Sequence, residues 1–292
     1  MALDRSILFR LVTNEHLERA VRFLPQGEAL AWRLASRYVA GRTLDDAVRV
    51  VGRLHELGVA AAVDQFGELV TDPAVADSVA RDYLDLADRL AGLPSDAWLA
   101  VDLTHLGLHA DPETCADHLA AIAGALPGGR RIQVGAEDHA SADAVLDCVL
   151  DAAGRGLADR LGATVQANLR RTPADLDRLV AAGVHIRLVK GAYVEPPERA
   201  LAYGEPTNLA YLRLAGTLAT AGTPFAIATH DGVLREAILA AHGPVPVEQL
   251  FGVRPDVVEA LVARDIPVRV YVPYGSGWFR YFMRRVAESR GA

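Results

Sequence analysis

The chain is poor in sulfur and in aromatic rings, with 2 Cys, 2 Met and 6% Phe, Trp and Tyr among 292 residues. Two cysteines, Cys115 and Cys148, cannot build a disulfide framework and fit a reducing compartment. No apolar run reaches the roughly 18 residues that a spanning helix needs. The amphipathic, charged start MALDRSILFRLVTNEHLERA lacks the regions of a signal peptide, so a cytoplasmic protein is expected. An excess of basic charge is also missing. Thirty Lys and Arg stand against 37 Asp and Glu, for a net charge of −7, which argues against a nucleic-acid partner. No G-x-G-x-x-G, G-x-x-x-x-G-K-[ST] or G-x-S-x-G occurs, so a Rossmann site, a Walker phosphate loop and a serine nucleophile elbow lack support. There is no linker or low-complexity tract, and residues 1–292 read as one domain without an internal hinge. What is present is an ordinary globular balance, 51% hydrophobic and 23% charged, which excludes wholesale disorder.

Two kinds of segment alternate. Short apolar or β-branched runs predict strands at Val59–Val63, Trp98–Val101, Arg131–Val134, Ala163–Gln166, His185–Val189, Phe225–Ala228, Val245–Phe251 and Val268–Val272. Between them, i, i+3, i+4 spacing of apolar residues predicts helices at Ala74–Leu93, Pro112–Ala125, Ala142–Ala153, Pro173–Ala182, Asn208–Ala221, Val233–Ala241, Asp256–Ala263 and Trp278–Glu288. Asp111-Pro112 and Thr172-Pro173 read as N-cap plus first-turn proline. Strand–helix alternation implies parallel strands joined by right-handed crossovers, and eight such units match a closed (βα)8 barrel of TIM type. An open doubly wound sheet is the alternative. Residues 1–58 read as a helical arm (Ile7–Phe23, Glu28–Ala40, Thr43–Leu57) and 59–292 as the barrel.

In such barrels the reactive groups sit at the carboxyl ends of the strands. Those positions hold Asp64, Asp102, Glu137-Asp138, Gln166, Lys190, Thr229-His230-Asp231, Gln249 and Tyr271 to Tyr274. Lys190 could serve as a Schiff-base amine in a barrel lyase. His105, His109, Cys115 and His118 cluster in sequence, but Gly107 interrupts the helix that would align the first two, and no metal site is expected. On the last helix, Arg284 and Arg285 are adjacent and follow an aromatic, Gly-rich loop. A guanidinium fork matches a carboxylate in bidentate fashion, and this favours acid binding over a surface pair with Glu288.

Four blocks, Arg187-Leu-Val-Lys-Gly-Ala-Tyr193, Ala228-Thr-His-Asp231, Glu248-Gln-Leu-Phe-Gly-Val-Arg254 and Tyr271-Val-Pro-Tyr-Gly continuing to Arg284-Arg285 and Glu288, resemble the signature segments of the short bacterial proline dehydrogenases. The resemblance runs from about Tyr38 to Glu288, in family order and spacing. It implies a distorted (βα)8 barrel that holds FAD over the strand ends. By the same resemblance Ala136, Gln166, Arg187, Lys190, Gly191, Ala192, Thr229 and His230 match flavin contacts, and Arg187 lies near the flavin N5. Arg284 and Arg285 clamp the substrate carboxylate, Tyr193 and Tyr271 wall the pyrrolidine ring, and Glu288 holds the arginine pair. The implied reaction is hydride transfer from the ring carbon beside nitrogen, giving a cyclic imine, with a quinone as electron acceptor and peripheral membrane contact. A degenerate, flavin-free barrel acting only as a partner protein stays open beside it.

The chain departs from that family at three places. Val101-Asp-Leu-Thr-His-Leu-Gly-Leu108 carries Asp102 where the family has a lysine on the substrate carboxylate. Gly135-Ala-Glu-Asp138 carries Gly135 where the family has an aspartate, and Asn168 stands where a tyrosine is expected. An anion now stands in place of a cation near an acid substrate, and two unit charges at ~4 Å interact by about 4 kcal/mol at an effective dielectric near ~20. Asp102 therefore reads as the relocated strand-three carboxylate, as the mark of an altered substrate, such as a modified proline or another cyclic amine, or as the mark of a protein that binds FAD but is catalytically weak.

Overall fold

The computed structural model describes residues 27–94 and 96–289, and for residues 280, 284 and 286–289 only the backbone. The helix expected over Ile7–Phe23 lies outside them. The elements in chain order are α1 (Gly27–Ala35), α2 (Leu44–Glu56), β1 (Ala60–Gln65), α3 (Pro73–Leu90), β2 (Ala97–Val101), α4 (Pro112–Ala125), β3 (Ile132–Val134) and α5 (Ala142–Ala152). They continue with β4 (Leu161–Gln166), α6 (Thr172–Ala181), β5 (His185–Val189), α7 (Glu205–Ala221), β6 (Phe225–Ala228), α8 (Gly232–His242), β7 (Val247–Leu250), α9 (Pro255–Val262), β8 (Val268–Tyr274) and α10 (Trp278–Ser289). The strands pair in parallel in sequence order, and β1 closes on β8 with Ala62 opposite Tyr271 and Asp64 opposite Pro273. This is the expected barrel, and the open sheet is excluded.

Each strand reads in two directions. Ala61, Val63, Leu99, Val101, Ile186, Leu188 and Ile227 are buried in one continuous core with the helices. The alternate positions turn into the barrel and are polar to an unusual degree. Trp98, Gln133, His185, Arg187 and Glu248 are all buried there. Space for them comes from small neighbours: a Cβ on Gly162 would stand 2.1 Å from Oε1 of Gln133.

The helices start where side chains satisfy their first amides. Thr43 forms a capping box with Asp46, and Asp72, Asp111 and Asp231 cap α3, α4 and α8. One expected cap is different. Thr172 is the first residue of α6, and its hydroxyl donates to the carbonyl of Gln166 at 2.5 Å, so it ties the helix to the end of β4. Helix α1 ends at Ala35, short of Ala40, because the next residues run alongside β8. The Ala40 amide donates to Pro273 O at 2.9 Å, and Gly41 bridges Tyr274. Helix α10 packs back on α1, with Trp278 edge-on to Trp32 at 5.1 Å, and on the β1 loop, with Tyr281 5.1 Å from Phe66. The last helix thus lies over the carboxyl-end mouth on its β1–β8 side. Among the described residues no helix is long and apolar enough to cross a membrane.

Candidate active site

The mouth is built from two halves. On the β1–β3 side, Asp64 is buried at the end of β1 and accepts from Tyr271 Oη at 2.5 Å and Tyr83 Oη at 2.8 Å. Burial pushes the Asp64 carboxyl up to about 6, against the pull of the two hydroxyls and of Arg187. Burial and the Asp64 carboxylate hold both tyrosines far above their ordinary range, so they remain donors. Tyr83 comes from the apolar face of α3, which fixes Asp64 from behind. At the end of β3, Glu137 accepts from the Thr104 amide and hydroxyl at 3.2 and 2.9 Å, and burial raises its carboxyl.

Between these two stands Asp102, half-buried just past the end of β2. Its charge reaches both Tyr83 and Tyr271 and raises them. A Cβ built on Gly135 would lie 1.8 Å from Asp102 Oδ1, so the Asp102 carboxylate occupies the space where a side chain at 135 would begin.

The β4–β7 side carries the cations. Arg187 of β5 reaches across the barrel to Glu248 of β7, its Nε and Nη2 each 2.6 Å from Oε2, and both side chains are almost wholly enclosed. Lys190 Nζ lies 3.3 Å from Asp231 Oδ2 and 5.2 Å from the centre of the Tyr203 ring. An amine held by a carboxylate and a ring face is set up as a fixed cation, not as the nucleophile a Schiff base needs. Thr229 follows β6 directly, its carbonyl accepting from Gln249 Nε2 at 2.9 Å. His230 keeps an accessible edge at the mouth, and enclosure by its neighbours, with the Arg285 charge, pushes its imidazole down to about 4. Gln166 donates to the Glu137 carbonyl at 2.8 Å.

The backbone after β5 approaches the site closely. Gly191 has φ +109°, and a Cβ there would stand 1.9 Å from Asn168 Oδ1. A side chain is excluded on both grounds. The loop it opens, with Ala192 exposed beside it, is strapped to the β3 loop. Tyr193 Oη donates to Ala136 O at 3.2 Å, and Glu195 accepts from the His139 amide at 2.7 Å. Arg285 of α10 lies 4.9 Å from the Tyr281 ring centre. Tyr281 in turn is 6.1 Å from Tyr271, which places Arg285 at the same opening. Arg284 and Glu288 are on the same helix, and their side chains fall outside the described ones.

The structure therefore gathers Asp102, Ala136, Gln166, Arg187, Lys190, Gly191, Ala192, Tyr193, Thr229, His230, Tyr271 and Arg285 around one mouth. It separates the four residues of the His/Cys cluster. His105 packs edge-on to Tyr83, His109 meets Ser141 Oγ at 2.9 Å, Cys115 donates to Leu103 O at 3.6 Å, and His118 faces Asp77 at 3.2 Å. Among the described residues no group of three or more potential ligands could hold a metal. Sequence reasoning placed Asp64 and Glu137 at strand ends and Glu248 in a signature block without giving them partners, and it missed Tyr83. The usable signal was a lone acid inside or ending an apolar strand, which is costly unless a partner is built beside it.

A barrel whose mouth unites buried acids, fixed guanidinium groups and a close backbone approach is of the enzyme-bearing kind. The model of the proline dehydrogenase family matches residues 47–292. The proline dehydrogenase of Deinococcus radiodurans is 32% identical over 282 residues, covering 91% of this chain and 90% of its own. Proline dehydrogenase 1 of Bacillus subtilis strain 168 is 32% identical over 263 residues, covering 87% and 86%. In the crystal structure of proline utilization A (PutA) from Bdellovibrio bacteriovorus inactivated by N-propargylglycine, the matching region superposes with a TM-score of 0.81 at 17% identity, covering 91% of this chain but 34% of that one. The chain thus spans about a third of that larger protein and shares its barrel fold. It belongs to the proline dehydrogenase family, and with it to the oxidoreductases.

Proposed function

We propose that this chain oxidises L-proline, or a proline-like cyclic secondary amine, to the cyclic imine (1-pyrroline-5-carboxylate from proline), with FAD as the cofactor and a quinone as electron acceptor. The observation that carries the proposal is the mouth itself. Cationic and amide donors from β4, β5 and β6 stand side by side there, opposite a tyrosine-held acid on β1. That donor set fits a flavin nucleotide. Gln166, Arg187, Lys190, Thr229 and His230 offer polar groups to a ring system and a diphosphate, Ala136 lies beside them, and the backbone at Gly191 and Ala192 leaves room for close contact. When bound, the flavin supplies the hydride acceptor.

The chain's own residues do the rest. The Glu248 carboxylate fixes the Arg187 guanidinium, so that its charge is preorganised and needs no rearrangement during reaction. Arg284 and Arg285 receive the acid end of the substrate, with Glu288 holding the pair. Tyr193 and Tyr271 wall the ring, and Asp64 anchors the Tyr271 hydroxyl. Binding energy from the acid end thereby orients the reacting C–H bond. The contact of α10 with α1 supports reading the helical arm and barrel as one working unit, and quinone access would run over the same mouth, at the membrane surface.

The test is a spectrum followed by a reductive titration. Protein reconstituted with FAD should absorb near ~450 nm, as the oxidised cofactor does. Anaerobic L-proline or a cyclic amine from a panel should bleach that band. Failure to retain the flavin, or retention with no bleaching by any member of the panel, defeats the proposal.

A further inference from the structure

We infer that Cys115 and Cys148 form a modification site, at which a hydroperoxide converts the two thiols of the folded chain into one reversible disulfide between α4 and α5. The chain has 2 cysteines in all, and both are free. Residues far apart in sequence are brought to one helical turn. Cys148, on α5, has its Sγ 3.5 Å from Pro112 O. Pro112 opens α4, and Cys115 follows it three residues later on the same face. A helical side chain leans toward the N-terminus and covers the turn before its own Cα. The Cys115 sulfur therefore stands over the turn that Cys148 reaches, and the two thiols meet in a hydrogen bond.

A single buried cysteine is a small apolar residue and is inert. This pair differs because each sulfur faces the other and the cover over them is thin. Both side chains are buried, but only the turn Pro112–Thr114 lies outside them, and Pro112 and Glu113 are exposed. That turn is held by Asp111, which accepts from the amides of Glu113 and Thr114 at 3.1 and 3.3 Å and from the Thr114 hydroxyl at 2.7 Å. Helix ends open at the lowest cost in a fold. A small peroxide can follow such an opening, whereas a bulky reagent is kept out.

Cys148 is the attacking sulfur. As its thiol ionises, the Cys115 S–H turns to it from Leu103 O, 3.6 Å away, and this bond holds the Cys148 thiol below its ordinary range. The thiolate attacks one oxygen of the hydroperoxide. A sulfur–oxygen bond forms as the oxygen–oxygen bond breaks, so Cys148 is oxidised to a sulfenic acid. The other oxygen is reduced and leaves as water or an alcohol, with the proton that Cys148 released. The Cys115 sulfur then attacks the Cys148 sulfur. The disulfide forms, the sulfur–oxygen bond breaks, and hydroxide departs as water with the Cys115 proton. A low-molecular-weight dithiol reverses the change by exchange.

The test treats the full chain with hydrogen peroxide in native buffer, quenches it in urea with N-ethylmaleimide and reads the intact mass. The untreated chain should take up a maleimide at each cysteine and the treated chain at neither, while remaining a single chain, and dithiothreitol should restore both. Cys115→Ser keeps a donor to Cys148 but cannot close the bond. Over the interval that oxidises the native chain, it should hold a sulfenic acid that dimedone traps, and Cys148→Ala should trap none. The oxidised native chain should also unfold at a higher urea concentration than the reduced one, because the bond closes the segment 115–148 in the unfolded state. Both thiols still open to maleimide after peroxide, a disulfide formed only between chains, no dimedone adduct in Cys115→Ser, or a urea midpoint no higher after oxidation would overturn the inference. The thiol count on the native chain needs no variant, so it decides even where a variant does not fold.

Discussion

Both ends of the barrel enclose charged side chains, yet the charges are used differently. At the amino end, Trp98 is flanked by Arg269, whose guanidinium carbon is 3.4 Å from the ring centre, by Arg131 at 5.1 Å, and by the edge of His185 at 5.1 Å. Arg269 donates to the carbonyls of Ala61 and Asp96 at 2.8 and 2.5 Å. Burial and the three neighbouring arginines push His185 down to about 3, so it is a neutral ring in a cationic plug. That end satisfies its cations chiefly with main-chain oxygens and aromatic faces. At the carboxyl end, cations meet acids from other strands, and hydroxyls and half-buried carboxylates face the opening. The comparison separates two uses of the same side chains. Guanidinium groups bonded to carbonyls close a barrel, and guanidinium groups opposed to acids across a mouth make it reactive.

The largest expected effect lies where the two regions meet. Arg187 and Glu248 span the barrel interior below the mouth. Glu248→Gln keeps the shape but leaves the guanidinium without its counter-charge, and losing one partner of a buried pair costs about 3–5 kcal/mol. Urea unfolding should show that loss, and flavin retention should fall with it. A Glu248→Gln protein as stable as the parent would mean that the pair does not brace the barrel.

Arg269→Met sharpens the contrast from the other end. It strips a charged donor from two carbonyls and the face of Trp98, and a loss of about 2–3 kcal/mol in urea unfolding is expected. The kcat and KM of the reconstituted enzyme should change no more than about threefold, because Arg269 bonds to carbonyls at the closed end and reaches the Arg187–Glu248 pair only through its charge. A larger change in KM would erase the division between the two regions.

Much of this was legible in the chain. β5 and β6 lie at the residues predicted, because short β-branched runs between glycine or proline signals leave little choice of register. β8 extends two residues further than its apolar run, to Tyr274, because Ala40, read as the end of a helix, and Gly41 after it give it an unforeseen partner. The strand-end rule found Asp64 and Asp102 as positions but could not give them partners. Tyr83 reaches Asp64 from a helix one crossover away, and helical periodicity reports only that Tyr83 faces inward. The absence of a side chain at Gly135 and of the lysine at Asp102 could be read as two independent losses. Only the fold shows that one residue fills the space vacated by the other.

The smallest effect expected is also the one with a pH signature, and it belongs to Asp64. Its carboxyl titrates near 6 in the folded chain, raised by burial from an ordinary 3.8. Between those values the folded state holds a proton that the unfolded chain has released, so stability falls as pH rises through this window. Above about 6 the full penalty of the buried charge is present, and below about 4 it is gone. Asp64→Asn cannot ionise and loses this slope. Relative to the parent it should therefore gain on the order of 2 kcal/mol between pH 4.5 and pH 7.5, about 1.4 kcal/mol for each unit from 4.5 to 6. Urea midpoints at the two pH values measure it. Tyr83 and Tyr271 donate to different oxygens of Asp64, so the asparagine keeps one of these acceptors and loses the other, a cost that is the same at both pH values and drops out of the difference. Parallel stability curves for the two proteins would show that Asp64 is ionised throughout. In that case the mouth would be as well solvated as the barrel's outer surface, and its distinction from the closed end would rest on charge sign alone.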